Sequence, residues 1–233
     1  MKKHLLIFAS LLFWLNSFGQ EVSENIRKKY DYIADFEEGF AVVILNGKYG
    51  FIDKNGKEIT ALKYDYVNVF SEGFAGVELN KKWGFIDERG KEVIRFKYEN
   101  AFYFIRGIAK VVLNGKQGYI NKTDNEVIPI IYGFAGDFKK GLAVVSLNGK
   151  WGIINELGKE VISVKYEYVE EFTEGLAKVR LNDKWGFVNT NENIVIPIKY
   201  DRATIFYDGR IAVKLNGKEF EINKKGECVK NCP

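Results

Sequence analysis

The sequence is poor in the residues that most enzymes use for acid–base and metal chemistry. Its 233 residues include one histidine and two cysteines, and the histidine, His4, lies in an N-terminal segment that we expect to be removed. A mature chain without an imidazole lacks the usual general base of hydrolases and the commonest zinc ligand. The composition therefore argues against a Ser-His or Cys-His nucleophile, a metal centre and a cofactor.

Long apolar runs are also scarce, and the run at the N-terminus has the pattern of a secretory signal. Lys2 and Lys3 precede the apolar residues 5–15, and Ser17-Phe18-Gly19 places small residues at −3 and −1 of a cleavage site before Gln20. The sequence thus predicts a signal peptide over 1–19 and a periplasmic or secreted protein. An uncleaved anchor is the alternative, but the apolar run is shorter than the roughly 20 residues of a membrane span, so we expect none in the mature chain.

The two cysteines, Cys228 and Cys232, close the sequence. In an oxidising compartment we expect a local disulfide between them, rather than a metal or redox site that no further ligand could complete. The formal net charge is +4, and two of the positive charges belong to Lys2 and Lys3. Because the remaining charges are balanced and interspersed, and export is expected, nucleic acid is not an expected partner.

An internal period of 34 residues dominates the rest of the chain. One glycine recurs at this spacing five times, as Gly50, Gly84, Gly118, Gly152 and Gly186. The tyrosine of a further motif recurs six times, as Tyr30, Tyr64, Tyr98, Tyr132, Tyr166 and Tyr200. The period predicts a short linker, 20–28, followed by one domain of six repeats over 29–232. Their bounds are 29–62, 63–96, 97–130, 131–164, 165–198 and 199–232.

The repeated motif is typified by Lys-Trp-Gly-Phe-Ile-Asp at 82–87, followed by Gly-Lys-Glu and Lys-Tyr. These residues resemble the WG-containing (KWG) repeat family of bacterial proteins over nearly the whole mature chain. The resemblance implies a β-rich repeat array, often exported, without implying a reaction or a common ligand. Gln117 in the third repeat and Glu219-Phe220 in the sixth depart from the aromatic-glycine pair of the family.

Each repeat reads as a β-hairpin followed by a third apolar segment. Ala41, Val43 and Leu45 alternate with other residues, and Asn46-Gly47 fits a type I′ turn. The turn fixes a register that gives the hairpin one aliphatic and one aromatic face, so neighbouring hairpins should stack.

The sequence therefore predicts an all-β fold, with six hairpin or three-stranded repeats stacked as an open solenoid-like array. Glu219 and Glu221 replace the aromatic pair in the sixth repeat and are expected to cap an open end. A closed six-bladed propeller-like ring is the alternative, because the first strand could complete the last repeat.

Candidate binding residues fall into two groups. Trp83, Trp151 and Trp185 are expected to pack between repeats, and their alternative role is to stack on sugar rings. The third and fourth repeats diverge most from the others, where aromatic residues and an arginine replace the charged motif. The candidates there are Phe102, Tyr103, Arg106 and Phe134, which would mark a protein or glycan site if exposed and extra core packing if not.

The leading functional hypothesis is a non-catalytic exported repeat module that acts as a protein–protein interaction scaffold in the envelope or outside the cell. A glycan-binding module that uses the repeated tryptophans is the alternative. A third hypothesis is a carboxylate-dependent hydrolase, but no acid among Asp53, Asp87, Glu58, Glu92 and Glu160 differs from its repeats as a catalytic pair should.

Overall fold

The computed structural model describes residues 23–233. The expected signal peptide and its cleavage site lie outside the described residues. The described chain begins with one short helix, α1 (Glu24–Arg27), and continues as strands that form six antiparallel sheets. We number the sheets 1 to 6 in chain order, and the equivalent strands β5 (from Phe74), β9 (from Ile108) and β13 (from Leu142) of neighbouring sheets begin 34 residues apart. The expected all-β repeat fold is confirmed.

Sheets 1 to 3 contain the first eleven strands. Sheet 1 has β1 (Tyr32–Ile33), β2 (Phe40–Leu45) and β3 (Lys48–Asp53). Sheet 2 has β4 (Tyr66–Val67), β5 (Phe74–Leu79), β6 (Lys82–Asp87) and β7 (Glu92–Tyr98). Sheet 3 has β8 (Asn100–Ile105), β9 (Ile108–Leu113), β10 (Lys116–Asn121) and β11 (Glu126–Tyr132).

Sheets 4 to 6 contain the remaining twelve strands. Sheet 4 has β12 (Phe134–Ala135), β13 (Leu142–Leu147), β14 (Lys150–Asn155) and β15 (Glu160–Tyr166). Sheet 5 has β16 (Tyr168–Val169), β17 (Ala177–Leu181), β18 (Lys184–Val188) and β19 (Ile194–Tyr200). Sheet 6 has β20 (Arg202–Ala203), β21 (Arg210–Leu215), β22 (Lys218–Asn223) and β23 (Cys228–Lys230).

Each sheet is a meander whose strands pair in chain order. The expected hairpin is its centre, and the predicted register holds, with Val43 opposite Gly50 and Ile44 opposite Tyr49 in sheet 1. The structure adds a further strand ahead of the hairpin, in the segment that follows the repeated tyrosine, and this is the first strand of each sheet. In five of the six sheets it has two residues, which are too few to show a period in the sequence.

The turns at both ends of the hairpin have left-handed backbone conformations. Asn46 and Gly47 have φ values of 50° and 72°, as the type I′ turn requires. A second two-residue turn joins the first and second strands of each sheet, as at Glu38 (φ 48°) and Gly39 (φ 88°). We call this second turn the first-strand turn; it bears on the candidate site below.

The core lies between successive sheets and not within one of them. Phe51 from the aromatic face of sheet 1 packs with Ala75, Val77 and Ile86 from the aliphatic face of sheet 2. Equivalent clusters join sheets 2 and 3, 3 and 4, 4 and 5, and 5 and 6. The two different faces expected of each hairpin therefore explain why the sheets stack.

The two ends of the described array are covered by different kinds of residue, apolar at the first sheet and charged at the sixth. At the first sheet, Ile26 of α1 packs on the aliphatic face. Ile26 stands two 34-residue periods before Ile94, which is one of the buried isoleucines in the last strands of sheets 2 to 5. At the sixth sheet, Glu221 and Lys230 form an ion pair of 3.0 Å where inner sheets have buried apolar residues. Among residues 23–233 no core cluster joins sheets 1 and 6, so the array is open.

Cys228, the first residue of β23, forms a disulfide with Cys232. In the described part of the chain, no helix has the length and apolar character that crossing a bilayer requires.

Candidate binding grooves between sheets

Acidic side chains join the first-strand turns of successive sheets. The Glu38 carboxylate accepts hydrogen bonds from the backbone N–H groups of Glu72 and Gly73, at 2.9 and 3.1 Å. Glu72 does the same for the turn at Arg106 and Gly107. Because both turn residues have positive φ, both N–H groups point outward and one carboxylate accepts from them. We call this arrangement the glutamate clamp.

The clamp is complete at two of the five junctions between sheets and partial at a third. Glu174 makes the partial clamp, with a single hydrogen bond from the Gly209 N–H at 3.3 Å. At the same repeat position, sheet 3 has Arg106 and sheet 4 has Lys140. These two junctions, between sheets 3 and 4 and between sheets 4 and 5, contain grooves of about 220 and 240 Å³.

The groove between sheets 3 and 4 brings together three of the residues that the sequence singles out. Phe102, Tyr103 and Arg106 all line it, and Tyr103 is exposed. Ile105 is also exposed on this groove, and it is not a residue that the sequence pattern identified. The other lining residues are Ile108, Lys110, Tyr119, Asp137, Phe138 and Glu156.

Two ion pairs give this groove its charge pattern. The Arg106 guanidinium lies 3.0 Å from a carboxylate oxygen of Glu156. Lys110, whose side chain is almost buried, pairs with Asp137 at 2.6 Å and lies over the ring of Phe102, 4.3 Å from its centroid. The groove thus combines apolar and aromatic surface with charged groups of both signs, which is typical of protein contact surfaces.

Tyr119 forms part of the floor of the same groove. Its hydroxyl donates a hydrogen bond to the carbonyl oxygen of Gly136 in sheet 4. Burial, assisted by the negative charge of Asp137, raises the pKa of the Tyr119 hydroxyl well above its ordinary value. Tyr119 therefore stays protonated and acts as a hydrogen-bond donor that joins two sheets.

The tryptophans lie in two aromatic ladders. Tyr49, Tyr66 and Trp83 form the first ladder, with neighbouring ring centroids 5.2 and 5.9 Å apart. The second runs through Phe134, Trp151, Tyr168 and Trp185, with separations of 5.4, 5.5 and 5.9 Å. Neighbouring members are 17 residues apart, half of one repeat. Asn100 and Gln117 occupy the intervening positions and separate the ladders.

The ladders are partly core and partly surface. Trp83 is buried, with 8% of its surface exposed, while Trp151 and Trp185 are half-buried. Phe134 and Tyr168 expose 42% and 39%. The structure thus places Phe134 with Trp151 and Trp185, apart from Phe102, Tyr103 and Arg106. Packing between repeats accounts for Trp83, whereas the second ladder also presents ring surface to solvent.

The second ladder borders an opening between sheets 4 and 5. Phe134, Trp151 and Tyr168 line this opening, together with Glu170 and Thr173. Trp185, at the end of the ladder, contacts two cations: the Lys178 ammonium lies 4.8 Å and the Arg180 guanidinium carbon 5.8 Å from its ring centroid.

Four of the five repeated carboxylates singled out from the sequence, Asp53, Asp87, Glu58 and Glu160, have structural partners in the described chain. Asp53 accepts hydrogen bonds from the backbone N–H groups of Asn55 and Lys57 and so fixes its turn. Glu58 pairs with Lys29 at 2.6 Å and accepts a hydrogen bond from Tyr30. The Lys29 contact holds the pKa of Glu58 below its usual range. No group of three or more metal-ligating side chains comes together within residues 23–233.

The repeat motif matches a known family over most of the chain. The WG containing repeat matches residues 23–49, 49–83, 83–116, 118–151, 151–185 and 185–218. The chain belongs to the WG-containing repeat family. The first match includes α1, in agreement with the observation that Ile26 is in phase with the buried isoleucines in the last strands of sheets 2 to 5. No curated protein sequence matches this WG-repeat chain significantly.

Several solved structures share a loose likeness with the WG-repeat array. Hsv2 of Kluyveromyces lactis is 12% identical, with a TM-score of 0.41 over 82% of this chain and 74% of that one. A eukaryotic initiation factor is 10% identical, with a TM-score of 0.42 over 87% and 77%. PorZ of Porphyromonas gingivalis, described as a surface component of the type-IX secretion system, is 11% identical, with a TM-score of 0.35 over 86% and 32%. These likenesses are too low to transfer a function.

Sequence reasoning missed the groove residues that belong to different repeats. Asp137 and Phe138 join Phe102 in this groove only because sheet 4 packs on sheet 3. A signal was present, since Arg106 and Lys140 stand where other repeats have an acid. The structure explains why this substitution matters, because the acid at this position accepts hydrogen bonds from the turn of the next sheet.

Proposed function

We propose that this WG-repeat chain is a non-catalytic, exported module that binds a protein partner through the groove between sheets 3 and 4. The observation that carries the proposal is the exposure of Tyr103 and Ile105 on this groove, beside the Arg106–Glu156 ion pair. Tyrosine and arginine around an apolar pocket are typical of binding hot spots. Export rests on the signal-like N-terminal segment of the sequence.

The repeat comparison supports this location. At three junctions a glutamate contacts the first-strand turn of the next sheet, whereas the junction of sheets 3 and 4 has an arginine at the clamp position. The aromatic residues Phe102 and Tyr103 are specific to this repeat. Because stacking does not require them, binding explains their presence better than architecture does.

The test compares two isoleucines of equal exposure. Ile105 lies on the groove and Ile194 at the start of β19, and each exposes 59% of its surface. The chain from Gln20 onward is used to capture crosslinked partners from envelope extract and culture fluid, with Ile105→Asp and Ile194→Asp variants beside it. We expect the protein captured by the parent chain to be lost with Ile105→Asp and retained with Ile194→Asp.

Each outcome of this comparison bears on the proposal. Circular dichroism and urea unfolding establish that both variants are folded. Equal capture by the two variants, or no protein captured by the parent chain, would contradict the proposed binding groove.

Glycan binding is the second candidate, and one observation favours it. The opening beside Phe134, Trp151 and Tyr168 measures about 390 Å³ and includes Glu170 and Thr173, so aromatic rings stand next to hydrogen-bonding groups. Capture that survives protease treatment of the extract and falls with Tyr168→Ala supports it. Tyr207→Ala is the matched control, because Tyr207 is exposed and lies outside this opening. Loss of all capture on protease treatment would exclude this candidate.

A further inference from the structure

The glutamate clamps show how this fold binds a carboxylate. At the junctions of sheets 1 with 2 and 2 with 3, one carboxylate accepts from two successive backbone N–H groups of a first-strand turn. A lysine completes two of the clamps: Lys122 lies 3.2 Å from Glu72, and Lys224 lies 2.8 Å from Glu174. The arrangement is thus a carboxylate site that the chain fills with its own side chains.

At the junction of sheets 4 and 5 the same turn is present without its carboxylate. Glu174 and Gly175 have φ values of 52° and 87°, like the turns that are clamped. Lys140 stands at the clamp position, so no side chain in the described chain accepts from these two N–H groups. Thr190 stands where Lys122 and Lys224 lie in other sheets, so the junction lacks both partners of the usual ion pair.

The charges around the groove between sheets 4 and 5 favour an anion. Lys139 is neutralised by Glu171, at 2.9 Å, whereas Lys140 has no ion-pair or hydrogen-bond partner among residues 23–233. The carboxylate of Glu174 is occupied on the far side of its sheet, where it contacts Lys224 and the Gly209 N–H. One cation and two backbone donors are therefore left without a counterpart.

The groove between sheets 4 and 5, which Lys140 lines, also has apolar surface. Its volume is about 240 Å³, and Leu142 and Phe172 are among its lining residues. A ligand that suits it carries a carboxylate next to an apolar group. The chain's own clamp segment, Phe36-Glu37-Glu38-Gly39, has this composition.

We propose that the junction of sheets 4 and 5 binds an acidic side chain of a partner polypeptide. The incoming carboxylate takes the place of the missing clamp glutamate, accepts from the N–H groups of Glu174 and Gly175, and pairs with Lys140. An adjacent apolar side chain of the partner contacts Leu142 and Phe172. The inference rests on the proposed function in one respect, that the partner is a polypeptide.

The test titrates the folded chain from Gln20 with two capped tetrapeptides, Phe-Glu-Glu-Gly and Phe-Gln-Gln-Gly. The readout is the ¹⁵N–¹H spectrum of the backbone amides. We expect the acidic peptide to shift the amide signals of Glu174 and Gly175 in a saturable way. The Gly107 amide, which already donates to Glu72, should not move, and the neutral peptide should bind at least tenfold more weakly.

Two charge-reversal variants sharpen the test. Lys140→Glu supplies an internal carboxylate at the clamp position, so it should abolish the peptide-induced shifts and raise the urea midpoint of unfolding. Lys81→Glu makes the same charge change at another exposed turn residue with positive φ and should preserve peptide binding. Lys140→Gln should weaken binding severalfold without raising stability.

Three results would overturn the proposal: no shift at Glu174 and Gly175 in millimolar acidic peptide, equal affinity for both peptides, or unchanged binding by Lys140→Glu. These outcomes are separate from the fate of the proposed function. If the peptide fails while Ile105→Asp still loses the captured protein, this acidic-residue site is excluded and the groove between sheets 3 and 4 stands.

Discussion

Replacing one clamp glutamate should lower stability by an amount that depends on pH. In the Glu72→Gln variant the amide keeps one acceptor oxygen but turns an NH₂ group toward a turn N–H, so one hydrogen bond and the ion pair with Lys122 are lost. A hydrogen bond to a charged group contributes roughly 1.5–3 kcal/mol when well shielded. The Glu72 side chain is 33% exposed, and solvent screening reduces this to about 1–2 kcal/mol.

The pH dependence follows from the direction of the pKa shift. Burial opposes ionisation of Glu72, but the Gly107 N–H and Lys122 outweigh it and hold the pKa of this carboxyl below its ordinary value. A lowered pKa in the folded state means that the stabilisation is fully present above the unfolded pKa of about 4.3. It is then lost as the pH falls through the folded value.

The assay is urea unfolding, followed by tryptophan fluorescence, from pH 7 to pH 3. The parent chain and Glu72→Gln should differ by the full amount near pH 7 and converge toward pH 3. Glu37→Gln is the matched control, because Glu37 is exposed and its side chain makes no hydrogen bond in the described structure. Equal stabilities at pH 7, or a difference that persists undiminished at pH 3, would refute the clamp as a source of stability.

Three further predictions concern the packing between sheets. Phe104 is fully buried and contacts Phe74 and Phe85 across the junction of sheets 2 and 3, so Phe104→Ala should lower the free energy of unfolding by about 3–5 kcal/mol in urea titrations and Phe104→Leu by much less. A Cβ added at Gly118 would lie 2.6 Å from the Cα of Ile130, so Gly118→Ala should lower the melting temperature strongly, and an unchanged value would contradict the close strand approach. In single-tryptophan variants, acrylamide should quench Trp83 less than Trp151 or Trp185, because Trp83 is the most buried of the three; equal quenching would contradict the ladder geometry.

The sequence contains enough local information to determine the strands and turns of each repeat. Alternation over Ala41, Val43 and Leu45 and the Asn46-Gly47 turn fix the hairpin and its register, because a two-residue turn allows one pairing. The different faces of the hairpin predict stacking, and Glu221 predicts a polar end. The first strand was missed because in five sheets it has only two residues, which are held by pairing with the neighbouring strand rather than by a periodic pattern.

The candidate sites depend on contacts between repeats, which a linear pattern does not contain. The sequence singled out Phe102, Tyr103 and Arg106 because they diverge from the other repeats, and the structure places them on one groove. Only the structure shows that Glu72 reaches the turn of the next sheet. It also shows that, with Lys140 at the equivalent position, the turn of sheet 5 has no such carboxylate. Repetition in the sequence determines the architecture of this WG-repeat protein. The packing of one sheet on the next decides which backbone N–H groups of the first-strand turns have a hydrogen-bond acceptor, because a hydrogen bond between sheets needs both partners in place.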